Sequence, residues 1–426
     1  MDGVSAPATR ILCGVAHGNL EVPRLSVIVA AWNAAESIGN AVSSVLAQPD
    51  VPLECIVVDD GSTDKTAAIV EAMAARDARI VLIRSPGNEG VSAARNRGLR
   101  AARGEWLTFL DVDDRILPGG IAALMRATRE TDPLAVVGQR VWSDGERTWI
   151  SERYDRPDIR KPGRKSLVHN PGLMYYASAT GKLFHRSLTS DLWFEGRVLG
   201  DQPWTIRALL RAGDRIEVIA DSVYQWSRPR RGHEFASITA AKHGSARLAA
   251  GAVVVARGAL RQVSDEADRV LVDPETRRTV VAGYFDRLVS ADFSGPVSRA
   301  LARRDEGTAE LFASIGAFLA AAPPDVVAGS DALVDCVLRP PLERWWKLGP
   351  AGRAAYRSMI HQLLAAHPAL AEQLDRRRLL RPAIRLAHGT GGPRAGATAD
   401  ALLVPTSALL TLASLPGRLA RRIRRR

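Results

Sequence analysis

Cysteine is nearly absent from this chain. Cys13, Cys55 and Cys336 are the three in 426 residues. They are too far apart for a zinc-ligating pair and odd in number, so neither a zinc motif nor a disulfide framework is expected, and a reducing cytoplasm is. Long apolar runs are missing as well. No stretch approaches 18 apolar residues, so no membrane-spanning helix is expected. Residues 1–23 lack the basic start and apolar core of a secretory signal. Neither GxGxxG nor GxxxxGK[ST] occurs, which argues against a dinucleotide fingerprint and a P-loop. Negative charge is the scarcer sign: 46 Asp and Glu face 58 Lys and Arg, for a net +12 and a pI near 10.2. That balance suits acidic partners such as phosphates, nucleotides or anionic lipid. What is present is ample for a core, since 46% of the residues are hydrophobic, and the length calls for more than one domain.

The scarce carboxylates are not scattered. Glu105–Pro118 reads EWLTFLDVDDRILP, an apolar run of strand length that stops at Asp111, Asp113 and Asp114. Three carboxylates in four residues repel one another unless they are solvated or face a cation. A hard divalent ion such as Mg²⁺ takes one or two carboxylates together with substrate phosphates. Upstream, LSVIVAA (25–31) is a buried-strand run ending at Trp32-Asn33, and LECIVV (53–58) is another, ending at Asp59-Asp60. Helical spacing follows each, through Ile38, Val42, Val45 and Leu46, and through Ala67, Ile69, Val70 and Met73. Ile80–Ile83 gives a further strand and Val91–Ala102 a helix. Four strands alternating with three helices predict βαβ units, a parallel sheet and helices on both faces. Ligands of such sheets bind beyond the carboxyl ends of the strands, where this sequence places an aromatic and two acidic clusters. An aromatic face for a base, a carboxylate for a base or ribose, and two more for a metal on a diphosphate form the inventory of a nucleoside-diphosphate site.

SVIVAAWN (26–33), ECIVVDDGSTD (54–64), NEGVSAARNRGL (88–99) and GEWLTFLDVDD (104–114) resemble, in order and spacing, the nucleotide-sugar half of family-2 glycosyltransferases, as far as about Thr239. The resemblance implies an α/β fold of GT-A type: a Rossmann-like nucleotide-sugar domain whose mixed sheet continues into an acceptor half. It implies that Trp32, where the family more often has Tyr, stacks on the base; the alternative is packing under the following helix. Asn33 belongs to the same donor-binding motif. Asp60 matches the carboxylate that recognises the base, with Asp59 left open between ligand and cap. Arg95 is carried over as a base or phosphate contact, against a solvated helix residue. Asp111 matches the ribose or diphosphate contact and Asp113 the ligand of a divalent metal, Mn²⁺ or Mg²⁺, with Asp111 beside it. Asp114 matches a structural carboxylate.

The family's acceptor half carries a Glu-Asp pair after a Phe-x-Glu-Gly-like turn. Here Phe194-Glu195-Gly196 precedes Gly200-Asp201-Gln202, so Asp201 matches the general base while Gly stands where Glu is usual. Trp204, Ile206, Leu209 and Leu210 have helical spacing, which puts Asp201 at a helix N-terminus. Lys182 in ATGKLF (179–184) resembles the family's glycine-lysine segment and is expected at the surface, the alternative being a phosphate contact. Arg228, Arg231 and His233 lie in a basic loop resembling the segment that folds over the diphosphate, against a solvated charge run. There is no QxxRW stretch of the processive membrane synthases.

From about Ala240 the chain turns to Ala, Leu and Arg with helical period, over Ala240–Val263, Arg277–Leu288, Leu311–Leu319 and Ala354–Leu364, with Trp345 and Trp346 as packing residues. The expected division is a tail over 1–23, a glycosyltransferase domain over 24–239, a mostly helical C-terminal domain over 240–387, a Gly/Ala-rich linker over 388–400 and a basic tail over 401–426. In that tail, leucines and six arginines from Arg418 to Arg426 fit an anionic membrane surface, or else a disordered basic end. No nucleic-acid recognition module accompanies them. The resemblance implies an inverting transferase, cytoplasmic and peripheral at the inner face of a membrane. It would move a sugar from a nucleoside-diphosphate sugar, a UDP-sugar by family habit, to a hydroxyl of a glycan or glycolipid in cell-surface polysaccharide synthesis. The alternatives are a non-catalytic nucleotide-sugar binder or scaffold, which Gly200 favours, and a nucleotidyltransferase, whose Gly-rich N-terminal loop is missing.

Overall fold

The computed structural model of the protein describes residues 9–11, 22–151, 154–196, 200–227, 245–303, 307–344, 347–367 and 370. They fall into two compact units, one from Met1–Phe235 and Asp265–Val272, the other from Ala236–Ser264 and Asp273–Arg426.

The first unit opens with β1 (Thr9–Ile11), β2 (Leu25–Ala31), α1 (Ile38–Leu46), β3 (Leu53–Asp59), α2 (Thr66–Ala74), β4 (Ile80–Arg84), α3 (Val91–Ala101) and β5 (Trp106–Asp111). It continues through β6 (Arg115–Ile116), α4 (Gly120–Glu130), β7 (Ala135–Ser143), β8 (Thr148–Trp149), α5 (Pro157–Arg160), β9 (Gly163–Lys165), β10 (Lys182–His185), α6 (Asp201–Ala212) and β11 (Ile216–Ser227). The sheet runs β1-β4-β3-β2-β5-β10-β7-β11-β6, with β8 on β7 and β9 on β11. Strands β4, β3, β2 and β5 are parallel, as the apolar runs predict; β10 is antiparallel to both β5 and β7, and β11 is parallel to β7. The sheet is therefore mixed. The carboxyl ends of β2, β3, β5, β7 and β11 and the start of β10 share one edge. Thr9–Ile11 pairs antiparallel with β4, so the expected tail over 1–23 contains an edge strand; three residues are too short a pattern to read.

Sequence chemistry explains the packing. The β2 and β3 runs are buried because helices cover them, with Val27, Val29, Val42, Val45, Cys55, Val57 and Val70 in one core. Gly98 lets α3 lie close on β2: a Cβ there would stand 2.4 Å from the Ile28 Cγ2. Buried Glu54 accepts from the Ser26 hydroxyl at 2.7 Å and the Arg103 amide at 2.6 Å, which fixes the turn into β5.

The second unit is helical: α7 (Ala246–Val270, whose end counts with the first unit), α8 (Pro274–Arg287), α9 (Ser294–Arg303), α10 (Thr308–Ala321), α11 (Pro324–Gly329), α12 (Asp331–Leu333), α13 (Arg339–Glu343) and α14 (Pro350–Ala366). Its π-helical turns at Leu288–Phe293 and Val334–Leu338, and α9 and α11, are not signalled by the periodicity. Helix α10 packs on α14, where Phe312 meets Tyr356 edge-on at 5.4 Å and Gly316 admits Met359. No helix among the described residues is long and apolar enough to cross a membrane. The expected basic loop with Arg228, Arg231 and His233, the Trp345–Trp346 pair, the linker over 388–400 and the tail over 401–426 lie outside the described residues.

Candidate active site

At the shared edge, β2 ends in Trp32, 53% exposed, so its indole is not packed under α1. Asn33 follows in a left-handed conformation (φ 47°), which asparagine tolerates better than most residues. Its backbone amide donates to the Ser62 hydroxyl at 2.9 Å and its side-chain oxygen accepts from the Thr63 amide at 2.8 Å. The aromatic is thus tethered to the loop after β3. Asp60 is buried and accepts from the backbone amides of Glu89, at 3.1 Å and 3.2 Å, and Gly90, at 2.7 Å. It orders the turn into α3. Asp59 caps the Ser62 amide with one oxygen; its other oxygen is buried without a hydrogen bond, and Arg84 lies 3.7 Å away.

The carboxylates after β5 sit in three different environments. Asp111 pairs with Arg95 at 2.6 Å. Asp114 is buried, receives the Tyr224 hydroxyl at 2.7 Å and the Ser227 amide at 2.8 Å, and is pushed well above the usual carboxylate range by burial and by its acidic neighbours. Asp113 reaches solvent and meets no hydrogen-bonding or ion-pair partner among the described residues. Crowding by the surrounding protein, with the like charge of Asp111, pushes it up to about 6. Among the described residues no three His, Cys, Asp or Glu side chains converge as a ready-made metal cage. A Mg²⁺ or Mn²⁺ site completed by substrate phosphates needs fewer protein ligands. Among the described residues the Asp113 carboxylate and the second oxygen of Asp111 meet no partner, and they fit that donor set.

The Phe194-Glu195-Gly196 turn is fastened to α3. Asn96 donates to the Phe194 carbonyl and accepts from its amide, each at 2.9 Å, and so clamps the Phe194-Glu195-Gly196 turn. Phe194 stacks on Trp204 at 4.5 Å, and Phe109 and Phe184 meet Trp204 edge-on. This cluster holds α6, whose first residue is Asp201, where the helix dipole favours an anion. Arg95 is buried; burial works against its charge, but Asp111 and Asp201 hold it above the ordinary arginine range. It therefore lies within electrostatic reach of both carboxylates. A Cβ at Gly200 would stand 2.4 Å from the Glu195 carbonyl and 2.5 Å from the Ser92 hydroxyl, so the family's Glu has no room here.

The structure thus gathers Arg95, Asp111 and Asp201, sets Asp113 two residues on, and places Trp32, Asn33 and Asp60 at the neighbouring strand ends. Lys182 is a correction: it is fully buried, not on the surface, because it begins a central strand of the sheet rather than a loop. Sequence reasoning missed Ser92, Asn96, Arg140 and Tyr224. Ser92 and Asn96 share the α3 face of Arg95 at helical spacing, a signal that was available. Tyr224, which binds the Asp111–Asp114 turn from 110 residues away, had none.

Residues 26–193 match Glycosyl transferase family 2. The chain is 32% identical over 212 residues to glycosyltransferase GlyG of Streptococcus pneumoniae, covering 48% of this chain and 70% of that one. It is 33% identical over 208 residues to the succinoglycan biosynthesis protein ExoO of Rhizobium meliloti, covering 48% of this chain and 56% of ExoO. The match thus spans about half the length of ExoO, and 60% of the uncharacterized glycosyltransferase EpsJ of Bacillus subtilis, to which the chain is 30% identical over 213 residues, 48% of its own length. The crystal structure of S. aureus TarS 1-349, a complex with UDP-GlcNAc, superposes with a TM-score of 0.60 over 83% of this chain and 92% of that one. At 21% identity this likeness establishes the fold alone.

Proposed function

The chain belongs to glycosyl transferase family 2, and from that premise we propose that it moves a sugar from a nucleoside-diphosphate sugar, a UDP-sugar, to a hydroxyl of a glycan or glycolipid with inversion at the anomeric carbon. One observation carries the reading. Arg95 pairs with Asp111, at the end of the donor-side strand, and Asp201, at the head of the acceptor-side helix, also helps to hold its charge, while the Asp113 carboxylate beside Asp111 meets no partner among the described residues.

Trp32 stacks on the base, Asn33 orients the loop beneath it, and Asp60 fixes the turn that recognises the base edge. Asp201 takes the proton of the acceptor hydroxyl as its oxygen attacks in line with the departing diphosphate. Arg95 holds Asp111 in place against the nucleotide and keeps positive charge between the two carboxylates. Asp113 and Asp111 would hold Mn²⁺ or Mg²⁺, which supplies Lewis-acid neutralisation of the leaving diphosphate when bound. Arg228 and Arg231 are assigned to the same diphosphate. Residues 24–239 carry this chemistry and 240–387 the helical domain. The basic tail over 401–426 rests on an anionic membrane at its cytoplasmic face. The succinoglycan role named for ExoO supports a place in cell-surface polysaccharide synthesis.

The test is nucleoside diphosphate release with Mn²⁺ across a panel of nucleotide sugars, beside Asp113→Ala. Release with one donor, lost in the variant, is the expected result. Silence with every donor, with binding that still needs Asp113, would favour the non-catalytic scaffold instead.

A further inference from the structure

Glu266 lies near the end of α7, beyond the residues 26–193 that match the family, yet it counts with the first unit. It is 3% exposed. Three arginines converge on its carboxylate. Arg207 Nε donates at 3.2 Å, Arg211 Nε and Nη2 at 3.0 Å and 3.1 Å, and Arg269 Nε and Nη2 at 2.9 Å and 2.7 Å. Arg207 and Arg211 stand four residues apart on α6 and so share one face of it. Arg211 Nη1 also donates to the Leu188 carbonyl at 2.9 Å and to Asp191 at 2.6 Å, and Arg269 reaches Asp191 at 3.1 Å. Arg207 Nη1 is buried without a hydrogen bond among the described residues, and the nearest carboxylate oxygen it faces is that of Glu195, at 3.6 Å. Three cations and three carboxylates thus tie α6, the Leu188–Asp191 segment and the turn after Phe194 to Glu266.

A buried ion cluster adds little stability over apolar packing of the same volume. What it adds is direction. Apolar contacts tolerate sliding and rotation, whereas charged N–H···O bonds demand a narrow distance and angle, and five of them on one carboxylate fix both the axial position and the rotation of α6. That position matters at the head of the helix. The Glu195 carbonyl is the atom that leaves no room for a Cβ at Gly200, and Asp201 is the next residue. We propose that Glu266 is a positioning residue for transfer: through Arg207 and Arg211 it sets where α6, and with it Asp201, stands relative to the Phe194-Glu195-Gly196 turn. This inference rests on the reading of Asp201 as the base. It makes the reaction depend on a residue outside the segment that carries the family's motifs.

The experiment compares the full chain with Glu266→Gln, which keeps the shape and turns one acceptor oxygen into a donor facing arginines, and with Arg207→Met, which leaves Arg211 and Arg269 on Glu266. Each preparation is titrated with the nucleotide sugar that the parent turns over, so that rates refer to molecules able to bind donor. Hydrogen exchange is followed over Leu188–Gly196 and Asp201–Ala212. The expected result is an unchanged donor Kd with kcat lowered by about 10²-fold in Glu266→Gln and by less in Arg207→Met. Exchange should quicken at the Phe194 turn and the first turn of α6 in both. The double variant should lose little more than Glu266→Gln, because the two substitutions cut one path. Parent-like kcat or parent-like exchange in Arg207→Met would overturn the proposal whether or not Glu266→Gln folds, and so would a donor Kd that rises as far as kcat falls. Asp201→Asn separates the two levels. If it transfers as well as the parent, the assignment of the base is wrong; if it is inactive while Glu266→Gln and Arg207→Met keep the parent's kcat, only the role of Glu266 falls.

Discussion

Restoring the family's glutamate at position 200 should damage this protein. Gly200 has φ −64° and ψ −20°, which any residue adopts, so backbone conformation does not demand glycine. Space does. A Cβ would stand 2.4 Å from the Glu195 carbonyl oxygen and 2.5 Å from the Ser92 hydroxyl. The carbonyl belongs to the turn that Asn96 clamps, and Ser92 is itself buried, so neither neighbour can simply swing away. Overpacking of this kind costs about 1–3 kcal/mol. For a unit of this size each kcal/mol lowers Tm by about 2–4 °C, so Gly200→Ala should lower Tm by roughly 2–12 °C. Gly200→Glu carries the same clash and must also place a carboxylate beside Asp201. Relief by displacing the start of α6 would move the adjacent Asp201, and a shift near 1 Å in a reacting group costs about 10²-fold in rate. Differential scanning fluorimetry and transfer kinetics with the accepted donor measure the two effects. A Gly200→Glu variant that matches the parent in Tm and equals or exceeds it in kcat would refute the steric argument.

Trp32→Ala should leave Tm nearly unchanged, because the indole is already half exposed, while raising donor Kd by the loss of about 1–3 kcal/mol of base stacking, read by calorimetry. Arg95→Met should leave Asp111 without its partner and lower kcat/KM for transfer about 10²-fold or more, with a smaller fall in Tm. Asp113 gives a pH prediction for metal-free protein. Its folded value of about 6 lies above its ordinary 3.8, so the folded state binds that proton more tightly and loses stability as pH rises through this window. Asp113→Asn should therefore melt above the parent at pH 7.5 and closer to it at pH 4, and saturating Mn²⁺ should raise the parent's Tm but not the variant's.

Much of the donor half was legible because its signals are local. Buried parallel strands read as continuous apolar runs, and their carboxyl ends announce themselves as Trp32-Asn33, Asp59-Asp60 and Asp111–Asp114. Lys182 shows where such reading stops. The sequence reading expects it at the surface, and only the pairing of β10 between β5 and β7 buries it. Tyr224 and Asp114 meet across 110 residues, a contact no local pattern encodes. Asp60 shows a subtler limit: the motif marks the residue, but only the fold reveals that its oxygens are engaged by the Glu89 and Gly90 amides. In the helical unit, period alone found the long helices but could not foresee the π-helical turns, one joining α8 to α9 and one joining α12 to α13.

The most direct test is Asp201→Asn, measured for donor binding and for transfer in the same preparation with Mn²⁺. A general base that does not hold the donor predicts an unchanged donor Kd and transfer reduced by about 10²–10⁴-fold. Transfer at the parent's rate, or a donor Kd that rises as steeply as the rate falls, would contradict the assignment of Asp201 as the group that takes the acceptor's proton.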